Sequence, residues 1–324
     1  MPAGRERRSN LEIAFVVNPT AGGGRALRVW RSLLEDDPSI EERVYYTDGP
    51  GVAEELARTA AREGASAVVA VGGDGTLHEV INGLIGLERA PAVGVIPCGT
   101  GNDFARSAGL PRAPRRALEV CKGGYTRRVD VGTINGRAFI NVAGFGFDAA
   151  VAKEVASRPG GGRGAIPYLM AVLRLVGTYR PKEMTITVDG RAFRTPLLFG
   201  AVGNGSTYGG GMKICPRAAI DDGLFDVCFA HDLSPVETLA NLVGVFFGAH
   251  LRHPKCSYRQ AQRVQVDGPP EVLVHADGQL LGNLPARFEL LPRAISFLFP
   301  RGAAHAGSSG STSNSENFSR SQAE

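Results

Sequence analysis

Short runs of β-branched and small apolar residues alternate with helix-compatible segments through the first 130 residues of the chain. Four of these runs, residues 13–17, 44–47, 67–71 and 92–96, each precede a turn marked by Gly, Pro or Asp. Such alternation is typical of parallel βα units. We therefore predict an α/β domain over residues 11–131, preceded by a short N-terminal tail, residues 1–10.

The turn signals change in the second part of the chain. Asn135-Gly136, Asp189-Gly190 and Asp277-Gly278 each stand between β-rich runs, and such dipeptides are strong signals for two-residue hairpins. A β-rich, mostly antiparallel domain is therefore predicted over residues 132–301. The last segment, residues 302–324, lacks the apolar content needed to fold and is predicted to be a disordered tail.

One clear helix interrupts this β-rich part. Ser234 is the predicted N-cap, Pro235 lies in the first turn, and Glu237 completes a capping box. The helix then carries an apolar stripe, which we interpret as facing the core: Leu239, Leu242, Val243, Phe246 and Phe247. Basic residues follow the helix, and whether they form a patch for anionic lipid stays open: Arg252, Lys255, Arg259 and Arg263.

Composition narrows the class of protein. The 324 residues are 43% hydrophobic, and 36 Lys and Arg against 32 Asp and Glu leave a net charge of only +4, which gives no support for nucleic acid as a partner. The five cysteines form no CxxC pair, so a reducing compartment, the cytoplasm, is expected. The apolar segments at 13–17 and 239–251 are too short for a signal peptide or a spanning helix. Any membrane contact is therefore expected to be peripheral.

Three of the predicted βα turns are rich in glycine. Strand 67–71 runs into GGDGTLHE, strand 13–17 into NPTAGGGR, and strand 92–96 into PCGTGND. In an open parallel sheet these turns meet at the carboxyl ends of the strands, where free backbone N–H groups and helix N-termini favour phosphate. We interpret Thr76 and Glu79 as a capping box opening the helix after the first of these turns. Neither GxxxxGK[ST] nor GxGxxG spacing is present, which excludes a P-loop and a dinucleotide fingerprint.

Asp74 lies among these phosphate-directed donors. A carboxylate in that place repels phosphate unless a divalent cation bridges them or the carboxylate takes a proton from an attacking hydroxyl. Phosphoryl transfer requires both a cation that neutralises charge on the phosphate and a group that aligns the acceptor hydroxyl and takes its proton. Asp103 and Asp130 are predicted to complete a hydrated magnesium site with Asp74.

The ordered combination of these motifs resembles the catalytic domain shared by bacterial diacylglycerol kinase-like lipid kinases and sphingosine kinases. The residues that carry the resemblance are Asn18-Pro19, the GGDGT turn at 72–76 and GTGNDFA at 99–105. It continues through NVAGFGFD at 141–148, VGN at 202–204, GGG at 209–211 and DDGLFD at 221–226, and it covers roughly residues 11–300.

This resemblance implies a Rossmann-like N-terminal nucleotide domain, a C-terminal β-sandwich-like domain, and ATP in the cleft between them. It implies a lipid substrate at a membrane surface, with diacylglycerol as the first expectation. The implied ATP contacts are Asn18, Pro19, Thr20, Ala21, Gly22, Thr47, Gly73, Asp74, Gly75, Thr76, Leu77, His78, Glu79 and Thr100. A structural magnesium loop is implied at residues 219–224, with the carbonyls of Ala219 and Leu224 and the carboxylate of Asp222 as ligands.

The chain departs from the family pattern at one position. Family members read Asp-Gly-Glu where this chain has Asp277-Gly278-Gln279, and a Gln cannot accept a proton as a carboxylate does. We therefore favour Asp74 as the catalytic base. Asp277-Gly278 is interpreted as a hairpin turn and His78 as a helix surface residue.

Two alternatives for the function stay open: a soluble-substrate kinase of the NAD kinase or phosphofructokinase type, and a binding protein without turnover. For the assembly, a homodimer formed through an exposed sheet edge stays open.

Overall fold

The computed structural model describes residues 12–123, 125–157 and 165–302. The predicted N-terminal tail lies outside the described residues, and so does the predicted C-terminal tail apart from residue 302.

The first domain is built on four parallel strands in the order β2-β1-β3-β4. They are β1 (Ile13–Val17), β2 (Val44–Tyr46), β3 (Ala67–Gly72) and β4 (Ala92–Pro97). Each of the four predicted strands is therefore confirmed. β3 and β4 are buried along their whole length, as central strands of a sheet covered on both faces must be.

Five helices connect and cover these strands, and a short 3₁₀ helix, Pro38–Glu41, follows the first of them. They are α1 (Ala21–Asp36), α2 (Val52–Arg62), α3 (Asp74–Leu84), α4 (Asp103–Ser107) and α5 (Pro114–Gly123). The α2–α3 contact is close because small residues meet there. A Cβ on Gly83 would lie 2.3 Å from the carbonyl oxygen of Glu54.

The second part contains twelve strands and three helices within the described residues. The strands are β5 (Tyr125–Ile134), β6 (Arg137–Phe139), β7 (Val142–Gly146), β8 (Lys182–Val188), β9 (Arg191–Leu197), β10 (Phe199–Gly203), β11 (Phe225–Ala230), β12 (Cys256–Ala261), β13 (Arg263–Asp267), β14 (Leu273–Ala276), β15 (Gln279–Asn283) and β16 (Ala286–Phe299). The helices are α6 (Phe147–Ala156), α7 (Ala165–Leu175) and α8 (Pro235–Val245), and a 3₁₀ helix, Ala249–Arg252, follows α8. No helix in the described ranges is both long and apolar enough to cross a bilayer.

Two sheets pack face to face in this part. One is six-stranded, in the order β12-β11-β10-β7-β14-β15, and its strand pairs are antiparallel. The other contains β16, β13, β8 and β9, with β5 and β6 attached to it. Aromatic and branched side chains from both sheets fill the space between them, including Phe145, Phe229 and Phe288. The expected α/β domain joined to a β-sandwich-like domain is confirmed.

The three predicted hairpin turns are present between β5 and β6, β8 and β9, and β14 and β15. Asn135, Asp189 and Asp277 have φ of 49°, 46° and 48°, and the Gly that follows each of them also has positive φ. Two consecutive left-handed residues define the type I′ turn, which explains why each turn uses Asn or Asp before Gly.

β16 belongs to both domains. Its last residues continue the first domain's sheet, where Phe297 pairs with Val93 of β4, whereas its first residues pair with β13 in the sandwich. The register shifts between Leu291 and Ile295, and Arg293 has a φ of 48° there. β5 follows β16 along both regions, so residue 131, the predicted domain boundary, lies inside a continuous strand.

The helix predicted after Ser234 is confirmed, including its capping box and Pro235 at its start. The interpretation of its whole apolar stripe as core is wrong. Leu242 and Phe246 are partly buried against the sandwich, but Val243 is 67% exposed and Phe247 78% exposed. The helix rests on the surface of a sheet, so only one side of the stripe reaches the interior.

Candidate active site

A cleft of about 450 Å³ lies between the two domains. The glycine-rich turns after β1, β3 and β4 form one end of it, with the β14–β15 turn beside the first turn of α3, and α6 and β14 form the other. The predicted site residues that line it are Ala21, Gly22, Gly73, Asp74, Gly75, Thr100, Asp103 and Gln279. The structure therefore brings together residues from all three glycine-rich turns and from the second domain.

Close backbone approaches join the three turns. A Cβ on Gly22 would lie 2.3 Å from the carbonyl oxygen of Cys98, and a Cβ on Gly99 would lie 2.5 Å from the Cα of Gly73. Gly22, Gly23 and Gly24 also have φ of 61°, 65° and 81°, so the regular part of α1 begins only after them. Glycine is required at Gly22 by both its conformation and its neighbour.

Asn18 links the first turn to α3. Its Nδ2 donates to Oγ1 of Thr76 at 3.2 Å, and its Oδ1 accepts from the backbone N–H and the hydroxyl of Thr20 at 3.2 and 2.9 Å. Thr47 is buried at the end of β2, and its N–H donates to the carbonyl of Val17 at 2.9 Å. These implied ATP contacts do not line the cleft themselves, and their hydrogen bonds fix the turns that follow β1 and β2.

The predicted capping box of Thr76 and Glu79 is wrong. Gly73 is the N-cap of α3, without a side-chain cap bond, and the helix begins at Asp74. Oε2 of Glu79 instead accepts from the N–H of Ala53, at 3.1 Å, in the first turn of α2. Since Asp74 already occupies the first helical position, Thr76 lies inside the first turn, and its hydroxyl is directed to Asn18.

Two further predicted ATP contacts have side chains that point into the protein. Leu77 packs in the core of the first domain. His78, interpreted from the sequence as a helix surface residue, is fully buried, and its Nδ1 lies 3.0 Å from Oδ2 of Asp277. That interpretation is wrong because the second domain covers this side of α3.

Asp74 and Asp103 form a pair of carboxylates at the phosphate end of the cleft. A Cβ on Gly101 would lie 3.0 Å from Oδ2 of both. The N–H of Phe104 donates to Oδ1 of Asp74 at 3.1 Å, and the N–H of Gly210 donates to Oδ2 of Asp103 at 2.8 Å. Burial raises the pKa of Asp74. Burial, and then the charge of Asp74, raise the pKa of Asp103 to about 6.

This pair fits a divalent cation. Oδ1 of Asp103 is buried without a hydrogen-bond donor, and Nε of Arg106, 3.8 Å away, is beyond hydrogen-bond distance. Two neighbouring buried carboxylates repel each other, and a hard cation with oxygen ligands and bound water would relieve that repulsion. No group of three or more His, Cys, Asp or Glu placed to hold a metal occurs in the part of the chain that the structure describes. Waters or phosphate oxygens would therefore complete the coordination.

Asp130 does not join this pair, contrary to the prediction. Its carboxylate accepts from the N–H of Gly223 at 2.7 Å and from the N–H of Arg293 at 2.6 Å. It lies on the part of β5 that faces the 219–224 loop, and the two backbone donors already satisfy its carboxylate.

The 219–224 loop is held by Asp130 on one side and by its own side chains on the other. Ala219 is buried, and Oδ1 of Asp222 accepts from the N–H of Leu224 at 3.1 Å. Burial, and then the charges of Asp130 and Asp221, raise the pKa of Asp222. Asp221 is paired with Nε of Arg127 at 3.5 Å, so Asp222 is the carboxylate of this loop that would serve the implied cation.

The β14–β15 turn places Gln279 in the cleft. The side-chain Nε2 of Gln279 lies 3.8 Å from the position a Cβ on Gly75 would take, above the first turn of α3. Asp277 and Gly278 line the cleft beside it. The predicted hairpin therefore brings Gln279 to Gly75, the residue that follows Asp74.

A buried histidine and aspartate at the other end of the cleft were not predicted as site residues. Nε2 of His275 lies 3.0 Å from Oδ2 of Asp148, both residues are 2% exposed, and Nδ1 of His275 has no hydrogen-bond partner. Tyr208 stacks on the His275 ring, with centroids 6.3 Å apart. No local pattern in the sequence identifies this pair, because 127 positions separate His275 from Asp148.

The fold and the cleft are those expected of a two-domain kinase, and comparison with known families identifies both domains. Residues 12–134 match the diacylglycerol kinase catalytic domain, and residues 141–299 match the YegS C-terminal NAD kinase beta sandwich-like domain.

Curated relatives and solved structures are similar to almost the whole chain. A diacylglycerol kinase of Bacillus subtilis (strain 168) is 31% identical over 290 residues, which are 89% of this chain and 96% of the relative. A diacylglycerol kinase of Staphylococcus carnosus (strain TM300) is 31% identical over 294 residues, covering 89% and 94%. A crystal structure described as a diacylglycerol kinase from Bacillus anthracis str. Sterne has a TM-score of 0.73 at 25% identity, covering 90% of this chain and 98% of its own. The chain belongs to the diacylglycerol kinase family.

Proposed function

We propose that the protein is an ATP- and magnesium-dependent lipid kinase that phosphorylates a lipid hydroxyl, with diacylglycerol as the favoured substrate. One observation carries the proposal: the cleft has two chemically different ends. The Asp74–Asp103 pair and the glycine-rich turns form a polar end suited to phosphate and cation. The other end has an apolar wall from α6, made by Ala152, Val155 and Ala156, which suits an acyl chain.

The triphosphate would lie against the turns after β1, β3 and β4. The N-terminus of α3 supplies free backbone N–H groups and the positive end of a helix dipole. Asp74 and Asp103 would hold magnesium, which would neutralise charge on the phosphates during transfer. Ala219, Asp222 and Leu224 would hold a second, structural magnesium.

The transfer itself needs an acceptor hydroxyl in line with the γ-phosphate. The hydroxyl oxygen forms the new bond to phosphorus, the bond from phosphorus to the β–γ bridging oxygen breaks, and ADP leaves. The acceptor proton goes to a carboxylate, for which we favour Asp74, because it lines the cleft among the glycine-rich turns and Gln279 cannot accept a proton. The lipid would be reached from a membrane surface, to which the protein would bind peripherally from the cytoplasm.

Gln279 favours a second candidate, a relative that binds lipid or nucleotide with weak or no turnover. The residue that faces the first turn of α3 from the second domain has no acid–base capacity. A kinase for a soluble substrate has less support, because the apolar wall of α6 has no evident use for a nucleotide or a sugar phosphate.

ADP release measured side by side with diacylglycerol, a sphingoid base, NAD and fructose 6-phosphate separates these candidates. We expect turnover with diacylglycerol and a loss of at least about 100-fold in Asp74→Asn, as is typical for removal of an acid–base group. Asp36→Asn is the matched control, because Asp36 forms an exposed ion pair with Arg115. Turnover with NAD or the sugar phosphate alone would favour a soluble-substrate kinase, and ATP binding without turnover would favour a binding protein.

A further inference from the structure

Helix α7 leaves one apolar face in solvent. Ile166, Leu169, Met170 and Leu173 are 76%, 43%, 43% and 49% exposed. Their spacing of three and four residues puts them on one side of the helix. Four large apolar side chains exposed on one side of a helix form an apolar patch, and such patches mark interaction surfaces in soluble proteins. This face is therefore a candidate interaction surface.

Helix α8 and the residues just after it also expose an apolar face to solvent. Val236, Leu239, Val243 and Phe247 are 77%, 36%, 67% and 78% exposed. The spacings of three, four and four residues again align them along one side.

The two exposed faces form a single surface. The opposite sides of both helices pack into the same apolar clusters, to which Tyr168 of α7 and Leu242 of α8 both contribute. Val176, just after α7, and Pro235, at the start of α8, also line one small cavity. Since both helices rest on the same side of the sandwich, their outer sides face the same way. We call this surface the docking face: Ile166, Leu169, Met170, Leu173, Val236, Leu239, Val243 and Phe247.

The charges around the docking face are mainly positive. Arg174, the single charged residue of α7, lies 3.4 Å from Glu154, and Glu237, the single one of α8, is paired with Nζ of Lys255 at 2.9 Å. Arg180 and Asp232 both line the cavity beside Pro235, the N–H of Lys213 donates to the last residue of α8, and Arg252 ends the 3₁₀ helix after α8. Three exposed cations, Arg180, Lys213 and Arg252, thus stand against one exposed acid, Asp232, at the edges of the face. An apolar surface with cations at its edges complements a leaflet that contains anionic lipid.

The docking face is also continuous with the apolar end of the cleft. Tyr168 of α7 lines the cleft, as do Ala152, Val155 and Ala156 of α6. Val155 packs in the same cluster as Val172, on the inner side of α7. An acyl chain could therefore pass from the docking face to the cleft wall along apolar side chains.

We propose that the docking face binds the surface of a membrane leaflet containing anionic lipid, with its apolar side chains among the upper acyl segments and Arg180, Lys213 and Arg252 at the headgroups. The proposal rests on the proposed lipid kinase function, because it places the mouth of the cleft at the bilayer surface. It retains only Arg252 of the basic patch considered from the sequence. In that segment Lys255 is paired with Glu237, and Arg259 lies over the rings of Phe193 and Phe229.

Tryptophan fluorescence tests the depth of contact. The chain has one Trp, Trp30, which is fully buried in the first domain and serves as an unchanging background. Phe247→Trp and Ile166→Trp are the reporters, and Leu87→Trp, at a 40% exposed position after α3, is the control. With vesicles of phosphatidylcholine and phosphatidylglycerol carrying brominated acyl chains, both reporters should be quenched and the control should not. Quenching of the control, or of neither reporter, would overturn the proposal.

Vesicle sedimentation tests how much the apolar side chains of the docking face contribute to membrane affinity. The double variant Val243→Ser with Phe247→Ser should bind these vesicles at least about 10-fold more weakly than the wild type, since each side chain loses most of its transfer free energy. Added salt should weaken binding of both, because it screens the edge cations. Unchanged binding by the double variant contradicts the proposal. A second result would also contradict it: a wild-type protein that is a dimer and binds no vesicles, together with a double variant that is a monomer. A second copy of the chain would then cover the docking face.

A water-soluble acceptor separates this inference from the proposed function. Dioctanoylglycerol needs no vesicle, so the double variant should phosphorylate it at the wild-type rate if the cleft is intact. Wild-type protein that phosphorylates no diacylglycerol, soluble or in vesicles, contradicts the proposed function, while the quenching result still decides the docking face.

Discussion

Nδ1 of His78 lies 3.0 Å from Oδ2 of Asp277, although 199 positions separate the two residues. His78 belongs to α3 of the first domain, and Asp277 begins the β14–β15 turn of the second. The same carboxylate accepts from the N–H groups of Ile140 and Asn141, each at 3.0 Å, and from that of Val142 at 3.2 Å. One buried side chain therefore joins the helix that carries Asp74 to the turn that carries Gln279, and fixes the two halves of the cleft relative to each other.

Replacing this carboxylate should destabilise the protein strongly. Asp277→Ala leaves His78 and three backbone donors without their acceptor, so we expect a loss of about 3–5 kcal/mol in the free energy of unfolding. Asp189→Ala is the matched control, because Asp189 begins the same kind of turn with a φ of 46°, and its carboxylate binds two exposed N–H groups. That variant should lose about 1 kcal/mol or less. Urea unfolding measures both, and equal losses would contradict a linking role for Asp277.

Local patterns predicted much of this molecule. The strands of the first domain, the three type I′ turns and the capping box at Ser234 each depend on residues close in sequence, and each is confirmed. The glycine-rich turns met at one edge because the carboxyl ends of parallel strands must do so.

Long-range partners could not be predicted in the same way. Glu79 has a helix-capping pattern, yet it caps α2 because that helix packs beside α3. Asp130 follows an acidic pattern similar to that of Asp103, but the 219–224 loop, about ninety residues later, supplies its partner. Helix α8 is a further example. The spacing of its apolar residues predicts which side of the helix is apolar, but it does not predict how much of that side a neighbouring element covers.

The approach of the first and third glycine-rich turns can be tested with a pair of neighbouring glycines. Gly22 and Gly23 have φ of 61° and 65°, so an Ala at either position pays a similar conformational penalty. Only at Gly22 would the new Cβ collide with a carbonyl oxygen, at 2.3 Å, whereas at Gly23 nothing lies within 4 Å. Gly22→Ala should therefore weaken ATP binding at least about 10-fold more than Gly23→Ala, a difference of about 1.4 kcal/mol. Calorimetric titration with ATP measures it, and equal effects would mean that the approach is unimportant.

The carboxylate pair predicts a pH dependence of stability. The pKa of Asp103 is raised to about 6 when folded, against about 3.9 when unfolded, so the folded state binds the proton more tightly. Stability should therefore fall as pH rises from about 4 to 6, by at most about 3 kcal/mol, and stay lower above that range. Magnesium bound by the ionised pair should restore stability more at pH 8 than at pH 5.

The variant Asp103→Asn isolates this contribution. It should flatten the pH dependence and reduce the magnesium effect, while the contribution of Asp226, whose pKa burial also raises to about 6, remains in both proteins. Thermal unfolding at pH 4, 5, 6 and 8 with and without magnesium measures the difference. A magnesium effect as large in the variant as in the wild type would contradict the metal assignment.

The His275–Asp148 pair predicts an effect on the acceptor rather than on the nucleotide. His275 lines the cleft together with Val155 and Ala156 of α6, the wall proposed to receive the lipid, so loss of its ring should disturb the acceptor more than the nucleotide. His275→Ala should raise the KM for diacylglycerol about 10-fold or more and leave the KM for ATP unchanged. His250→Gln is the control, because His250 is an equally buried histidine outside the cleft, bound to the carbonyl of Ile214. Equal changes in both KM values would indicate a general disturbance of the cleft.

Substitutions at Gln279 test whether Asp74 serves as the catalytic base or whether the protein lacks a base. Its side chain is partly exposed in the cleft above the first turn of α3, so Gln279→Glu should be accommodated without a change in fold. If Asp74 is the base, as we propose, the new carboxylate adds negative charge near the triphosphate, and turnover should stay unchanged or fall. If the wild type is slow because it lacks a base, the same change should raise turnover by about 10-fold or more. Gln279→Ala is the control for loss of the side chain itself. Turnover of the three proteins on one accepted lipid separates the cases: a clear gain for Glu contradicts Asp74 as the base, and indifference to both substitutions removes position 279 from the mechanism.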